Sequence, residues 1–236
     1  MHVVPFVHGA FDSVFIKDNA VLVARDGTLR ALLAHPCHTE RRAEQGARRA
    51  VLEETGFRIT PEPVAPLEGG DVVLRPRSAG AFLGYGMRSS KHAAAPLERF
   101  LDAPVVPLEL CDPCLYHLDM ALTALPDGTL LVCNEALTKS SLALVEASAR
   151  GPVVRVARED ALGFGLNVVP VGEDVITAGR APAVDALLVA LGYRVHAVHL
   201  SEFHHAGGSA ACLVACVYED GRVATSTTTA MRSTAA

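Results

Sequence analysis

Tyr116–Cys133 reads YHLDMALTALPDGTLLVC. A polar opening, His117-Leu118-Asp119, leads into an apolar run. Asp127-Gly128 interrupts the run, and a second apolar run ends at Cys133. Asp-Gly between two apolar runs is a strong hairpin signal, because both central residues of the tight turn take positive φ. Four other stretches share this plan: SVFIKDNAVLVARDGTLRAL (13–32), EGGDVVLRPRSAGAFLGYG (68–86), GLNVVPVGEDVITAG (165–179) and GSAACLVACVYEDGRVAT (208–225). Their turns fall at Asp26-Gly27, Ser78-Ala79-Gly80, Gly172-Glu173-Asp174 and Asp220-Gly221. The polar residues that open the five strands are Asp18, Asp71, Asp119, Asn167 and Cys212, at intervals of 53, 48, 48 and 45 residues. A repeat of this length marks stacked or radially arranged units.

Helical patterns separate the hairpins. TERRAEQGARRAVLEETG (39–56) carries Thr39 as an N-cap and Gly56 as a stop. SSKHAAAPLERFLDA (89–103) is interrupted by Pro96, EALTKSSLALVEASARG (135–151) ends on Gly151, and GRAPAVDALLVALGYRV (179–195) stops at Gly192 before a short strand, RVHAVHL. The unit is therefore hairpin, helix, strand. One such unit cannot bury its apolar face alone, whereas five arranged around an axis can. Residues 1–236 are expected to form one α/β domain, a propeller of five pseudo-repeated units with the opening polar residues gathered at one end of the axis. Five hairpins but only four helices place the missing helix in the first unit, where the chain begins.

Composition narrows the class. Hydrophobic residues make up 50% of the 236 positions and charged residues 20%, enough for a sizeable core. A formal charge of −5 supplies no basic stripe for nucleic acid. No apolar run reaches membrane-spanning length, and the N-terminus lacks the cationic start of a signal peptide. Six cysteines in so long a chain are not a disulfide scaffold, so the expected compartment is a reducing cytoplasm. A homodimer is compatible with this composition.

Cys212, in HHAGGSAAC (204–212), can be a metal ligand, a nucleophile or a small buried residue. A cysteine nucleophile needs a proton carrier and a group to orient that carrier. His117 and Glu68 stand at matching phases of the repeat and suit those roles, while Asp18 and Asp119 bring further carboxylates to the same end. Carboxylates beside a nucleophile suit a guanidinium, whose N–H fork pairs with them in bidentate fashion. The attacked atom would be its central carbon.

In order along the chain, FDSVFIKDNAVLV, HPCHTERRAE, LEGGDVV, FLGYGMRSS, HLDMALTALPDGT and GGSAACL resemble the motifs of guanidino-modifying enzymes of the pentein superfamily, from about Phe11 to Cys216. That group includes dimethylargininases, arginine deiminases and amidinotransferases, and its fold is a five-bladed α/β propeller with an axial site. The resemblance implies that Cys212 is the nucleophile that forms a covalent thiouronium, that His117 is the acid and base, and that Glu68 orients it. It further implies that Asp12, Asp18 and Asp119 bind the guanidinium and that Arg41 and Arg88 take the substrate's carboxylate end. No cofactor or metal is implied. The compact hairpins are most like those of bacterial dimethylargininases. The implied activity is hydrolysis of the guanidino group of arginine or a methylated arginine, giving citrulline or another ureido product plus an amine or ammonia. Amidinotransfer or arginine deimination on the same fold is the alternative.

Three departures stand out. Lys17 replaces the glutamate that dimethylargininases usually carry before Asp18, Asp119 replaces the lysine that follows His-Leu in many of them, and Ser89-Ser90 replaces Thr-Asn. The family carries an opening strand, lid loop and helix before the segment matching Phe11, so the first unit is expected either to be open or to have its true start upstream.

Rival patterns were weighed. RRAVLEETGF (48–57) imitates a Nudix helix that would hold Mg²⁺ on Glu53 and Glu54, but Ala50, Arg41 and His35 stand where that motif needs two glutamates and a glycine. Cys111, Cys114 and His117 have zinc-like spacing that His204 or His205 would complete, yet a second Cys pair is missing. Cys216, four residues beyond Cys212, is expected to lie on the same strand face as a core residue. Asn167 is expected to make structural hydrogen bonds. A binding protein without catalysis on the same fold is the remaining class, favoured by an unreactive Cys212. The Cys212 thiol is expected to have a lowered pKa, either at rest or once substrate binds.

Overall fold

Asp26 and Gly27 have φ of 48° and 69°, the paired positive values of the tight hairpin turn that Asp-Gly favours. Around them strand β1 (Ala20–Arg25) returns as β2 (Thr28–Leu33), antiparallel, with Arg25 opposite Thr28. The computed structural model describes residues 2–76, 80–219 and 222–223. Helix α1 (Glu44–Glu54) then leads to β3 (Arg58–Thr60), which lies parallel to β2.

Two following units repeat this plan. In the second, β4 (Val72–Leu74) and β5 (Ala81–Tyr85) are antiparallel, α2 (Ala94–Leu101) follows, and β6 (Val105–Glu109) runs parallel to β5. In the third, β7 (Leu122–Ala124), β8 (Leu130–Cys133), α3 (Lys139–Ser148) and β9 (Val153–Val156) do the same.

After a short helix, α4 (Arg158–Leu162), the fourth unit holds β10 (Val169–Val171), β11 (Asp174–Thr177), α5 (Pro182–Ala190) and β12 (Arg194–Ala197). A second short helix, α6 (Ser201–His205), precedes β13 (Val217–Glu219) and β14 (Arg222–Val223). Helices α4 and α6 are additions to the four that periodicity predicts. They are five residues each, too short to show an amphipathic period. Pro96 falls in the first turn of α2, where its missing N–H costs little. The turn residues Ser78-Ala79 and Asp220-Gly221 lie outside the described residues.

The described residues form a mixed α/β fold of four small sheets. The fifth hairpin joins the first sheet, with β13 parallel to β1 (Leu22 opposite Val217) and β14 antiparallel to β13. The middle strands are the most deeply buried. Phe82, Leu83, Leu131 and Val132 are fully covered, each apolar side chain contributing about 1.5–3 kcal/mol through burial. Among the described residues no helix is long and apolar enough to cross a membrane.

The opening polar residues do not begin the strands. Asp18, Asp71, Asp119 and Cys212 each sit in a single 3-10 turn just before a strand: Ile16–Asn19, Gly69–Asp71, Leu118–Met120 and Ala211–Leu213. The turn bearing Asp18 packs on those bearing Asp71 and Cys212, and the turn bearing Asp71 packs on that bearing Asp119. Side-chain-free positions permit this closeness. A Cβ on Gly69 would fall 2.0 Å from the Lys17 carbonyl oxygen, and one on Gly70 2.6 Å from His117 Nδ1.

The turn also corrects the expectation for Cys216. Cys212 is not in a strand and β13 starts at Val217, so strand parity does not relate the two cysteines. Cys216 is half-buried against a small cluster that includes Val169, Ala210 and Ala211. Glu53 and Glu54 are exposed on α1, with Glu53 paired to Arg49, as on an ordinary charged helix face. The Nudix arrangement has no counterpart there.

Candidate active site

His117 is 3% exposed and sits between two carboxylates. Its Nε2 lies 2.8 Å from Glu68 Oε2, and its Nδ1 lies 3.6 Å from Asp18 Oδ1. Burial by itself would lower the pKa of the imidazole, but Asp18, Glu68 and Asp71 outweigh it and hold the ring well above its usual range. The resting ring is therefore an imidazolium, able to give a proton. Glu68 is fully buried. Burial alone would raise its pKa, yet the bond from His117 and the Cys37 N–H, 3.0 Å from Oε1, draw it below the ordinary carboxylate range. The Glu68 N–H donates in turn to Ser89 Oγ.

Asp18 and Asp119 meet different partners. Asp18 accepts from the Gly70 N–H (3.0 Å) and from Arg41 Nη1 (2.7 Å). Asp119 takes Lys17 Nζ on Oδ2 at 2.6 Å, while its buried Oδ1 has no hydrogen-bond partner. Lys17 and Asp119, two positions at which the sequence departs from the dimethylargininase pattern, thus form one ion pair. Asp71 is fully buried and accepts the Leu118 N–H on Oδ1 (3.1 Å). Burial is the main reason its pKa is pushed up to about 7.

Cys212 is 5% exposed. Asn167 Nδ2 lies 3.3 Å from its Sγ, and Asn167 Oδ1 accepts the N–H groups of Ala211 (3.0 Å) and Cys212 (3.4 Å). Burial, then Asp119 and Asp18, push the thiol above its usual range, and Lys17 pulls it part of the way back. The resting thiol is thus raised rather than lowered. Phe15 closes the approach beside Gly208, where a Cβ would fall 2.2 Å from the ring, and Tyr116 donates to the Gly207 carbonyl at 2.6 Å.

The remaining expected site residues are placed unequally. Arg88 is half-buried, with its guanidinium 4.7 Å from the Tyr116 ring centre, on the same tyrosine that ties down Gly207. Asp12 is exposed at the start of a 3-10 turn, and its carbonyl oxygen accepts from Arg41. Arg41 is 6% exposed and turned inward. It donates to Asp18, to both oxygens of Glu44, and to the carbonyls of Asp12 and Phe15. With its N–H fork so occupied, Arg41 supports Asp18 from behind instead of facing a substrate carboxylate.

Cys111 and Cys114 are exposed while His117 is buried on Glu68. His204 stacks on Phe164 and meets Ser209, and His205 is exposed, so the zinc-spaced residues serve separate surroundings. Among the described residues the one close grouping of metal-type ligands is Asp18, Glu68 and His117. Its oxygens already accept from Arg41, Gly70 and Cys37. Sequence reasoning missed the Asn167–Cys212 contact and the Lys17–Asp119 pair. Only the repeat phase, which aligns Asn167 with Asp18, Asp71 and Asp119, hinted at the first.

A buried thiol, an imidazole held between two carboxylates and a carboxylate oxygen without a partner meet at this site. The chain belongs to the dimethylargininase-like family of the pentein superfamily. No family model matches it. It is 30% identical over 208 residues to the dimethylarginine dimethylaminohydrolase of Streptomyces coelicolor, covering 86% of this chain and 73% of that protein. It is 34% identical over 214 residues to a bifunctional arginine dihydrolase/ornithine cyclodeaminase, AgrE, of Nostoc sp., covering 89% of this chain but only 30% of that longer protein. The crystal structure of the N-terminal domain of ArgZ covalently bound to a reaction intermediate superposes with a TM-score of 0.84 at 30% identity, covering 90% of this chain and 78% of that one.

Proposed function

We propose that the protein hydrolyses the guanidino group of arginine or a methylated arginine through a covalent intermediate on Cys212. The observation that carries this is the meeting of 3-10 turns that brings Asp18, Asp119 and Cys212 into one buried electrostatic neighbourhood, with His117 held on Asp18 and Glu68. A guanidinium seated on the partnerless Asp119 oxygen adds a positive charge beside the thiol. That charge lowers the thiol's pKa, and the proton leaves for solvent. The thiolate attacks the central carbon. His117, already protonated, gives its proton to the departing amine as the C–N bond breaks, leaving a thiouronium on Cys212. Neutral His117 then takes a proton from water, the resulting hydroxide attacks the same carbon, and the C–S bond breaks as the added hydroxyl passes its proton to the sulfur, releasing a ureido product and the resting thiol. Glu68 keeps the ring aligned throughout.

Arg88 is the cation that takes the substrate's carboxylate end, and exposed Asp12 lies at the rim. The five hairpins are five blades around one axis, supported by three further units that repeat the first unit's strand order and by a fifth hairpin on β1. Incubation with arginine, methylated arginines and agmatine, with and without an acceptor amine, tests the reaction. Ureido product and free amine at a rate indifferent to the acceptor are expected and would be lost in Cys212→Ser. Product from that variant, or none from any substrate, overturns the proposal.

A further inference from the structure

Asn167 is fully buried, and its amide can face only one way. Its Oδ1 meets two backbone N–H groups, those of Ala211 and Cys212, which can only donate. Turning the amide over would aim an NH₂ group at two donors, so the orientation follows from the surroundings and not from the shape of the side chain. The NH₂ end is then committed to the sulfur, 3.3 Å away.

We infer that Asn167 is a catalytic residue, its Nδ2–H donating a hydrogen bond to the Cys212 thiolate while its Oδ1 holds the turn that presents the sulfur. The inference rests on Cys212 being the reactive thiol of the proposed reaction. The contact serves both forms of the sulfur. A neutral thiol can donate back to Oδ1, 3.5 Å away, whereas a thiolate is a pure acceptor and engages Nδ2–H. A bond made to the charged form favours it. Here it opposes burial and the charges of Asp119 and Asp18, alongside the Ser209 backbone hydrogen bond and Lys17, which also favour the thiolate.

Alkylation of Cys212 by iodoacetamide, followed peptide by peptide by mass spectrometry between pH 6 and 10 with guanidinium chloride added below denaturing concentration, reads the sulfur with a positive charge supplied beside it. Asn167→Asp keeps an acceptor for the two N–H groups but loses the donor. Asn167→Ser loses the amide donor without adding charge. In both, the midpoint of the rate–pH profile is expected to rise by about one pH unit, roughly a tenfold loss of rate on the rising limb. Thermal melting of each variant tracks folding separately. Profiles that superpose on wild type in both variants overturn the inference while leaving the proposed reaction intact. So does a shift confined to Asn167→Asp, which is the signature of added charge alone. A wild-type Cys212 that resists alkylation throughout overturns both.

Discussion

Replacing Arg41 with methionine separates two roles for that side chain. Its guanidinium holds Asp18 at 2.7 Å and both oxygens of Glu44 at 2.9 and 3.1 Å, all inside the protein. Arg41→Met fills much of the same space and leaves two buried carboxylates without their cation. Breaking a buried pair by removing one partner costs about 3–5 kcal/mol, chiefly the penalty of the stranded charge. Asp18 keeps the Gly70 N–H and His117, and Glu44 keeps only the charge of Arg48, so a cost within that range is expected. For a chain of this length each kcal/mol moves the melting temperature by about 2–4 °C, so a fall of roughly 6–20 °C is expected. Thermal and urea unfolding measure it. Kinetics on arginine and on agmatine, which lacks the carboxylate, complete the test. An Arg41 that grips the substrate's carboxylate would give a melting temperature within about 2 °C of wild type and a raised KM for arginine alone. That pair of results would refute the inward role.

Two further outcomes follow from the geometry. In Gly70→Ala the new methyl would lie 2.6 Å from His117 Nδ1 and 2.7 Å from Asp18 Oδ1, so kcat is expected to fall about 100-fold through displacement of the ring, with about 1–3 kcal/mol of overpacking. Wild-type kcat in this variant contradicts the packing described. Asp71, raised mainly by burial to about 7, retains a proton in the folded chain that the unfolded chain loses near its ordinary value of 3.8. Its contribution to stability is complete below that value and declines by about 1.4 kcal/mol per pH unit as the pH climbs toward 7. Asp71→Asn removes this slope, so urea unfolding should show the variant gaining on wild type between pH 5 and 8. Parallel stability curves would count against it.

The hairpins were legible because their information is local. Asp26-Gly27 and Asp127-Gly128 need only their own backbone preferences and the apolar runs beside them. The phase of Asp18, Asp71, Asp119, Asn167 and Cys212 was legible because every unit places its polar residue a few positions before a strand. What escaped was the bonding between units. Nothing in FIKD or in HLD says that Lys17 will meet Asp119, since the two are joined only when separate turns pack together. The motif that assigns Arg41 to a substrate carboxylate says where it stands along the chain and nothing about Glu44 three residues later, whose carboxylate it meets. The amide of Asn167 on Cys212 is of the same kind, a contact spanning 45 residues.

The strand that follows Cys212 has a bearing on how the molecule is made. β13 pairs with β1, joining residues 22 and 217, nearly two hundred positions apart. Each three-stranded sheet can form from a few dozen neighbouring residues as synthesis proceeds, but this parallel pairing must wait for a distant partner, and contacts of such separation are slow to form. The turn that bears the thiol packs beside the turn that leads into β1. Folding kinetics are expected to show the three-stranded sheets forming before the closure that brings the Cys212 turn beside Asp18. A C-terminally clipped chain would hold those sheets yet lack that thiol.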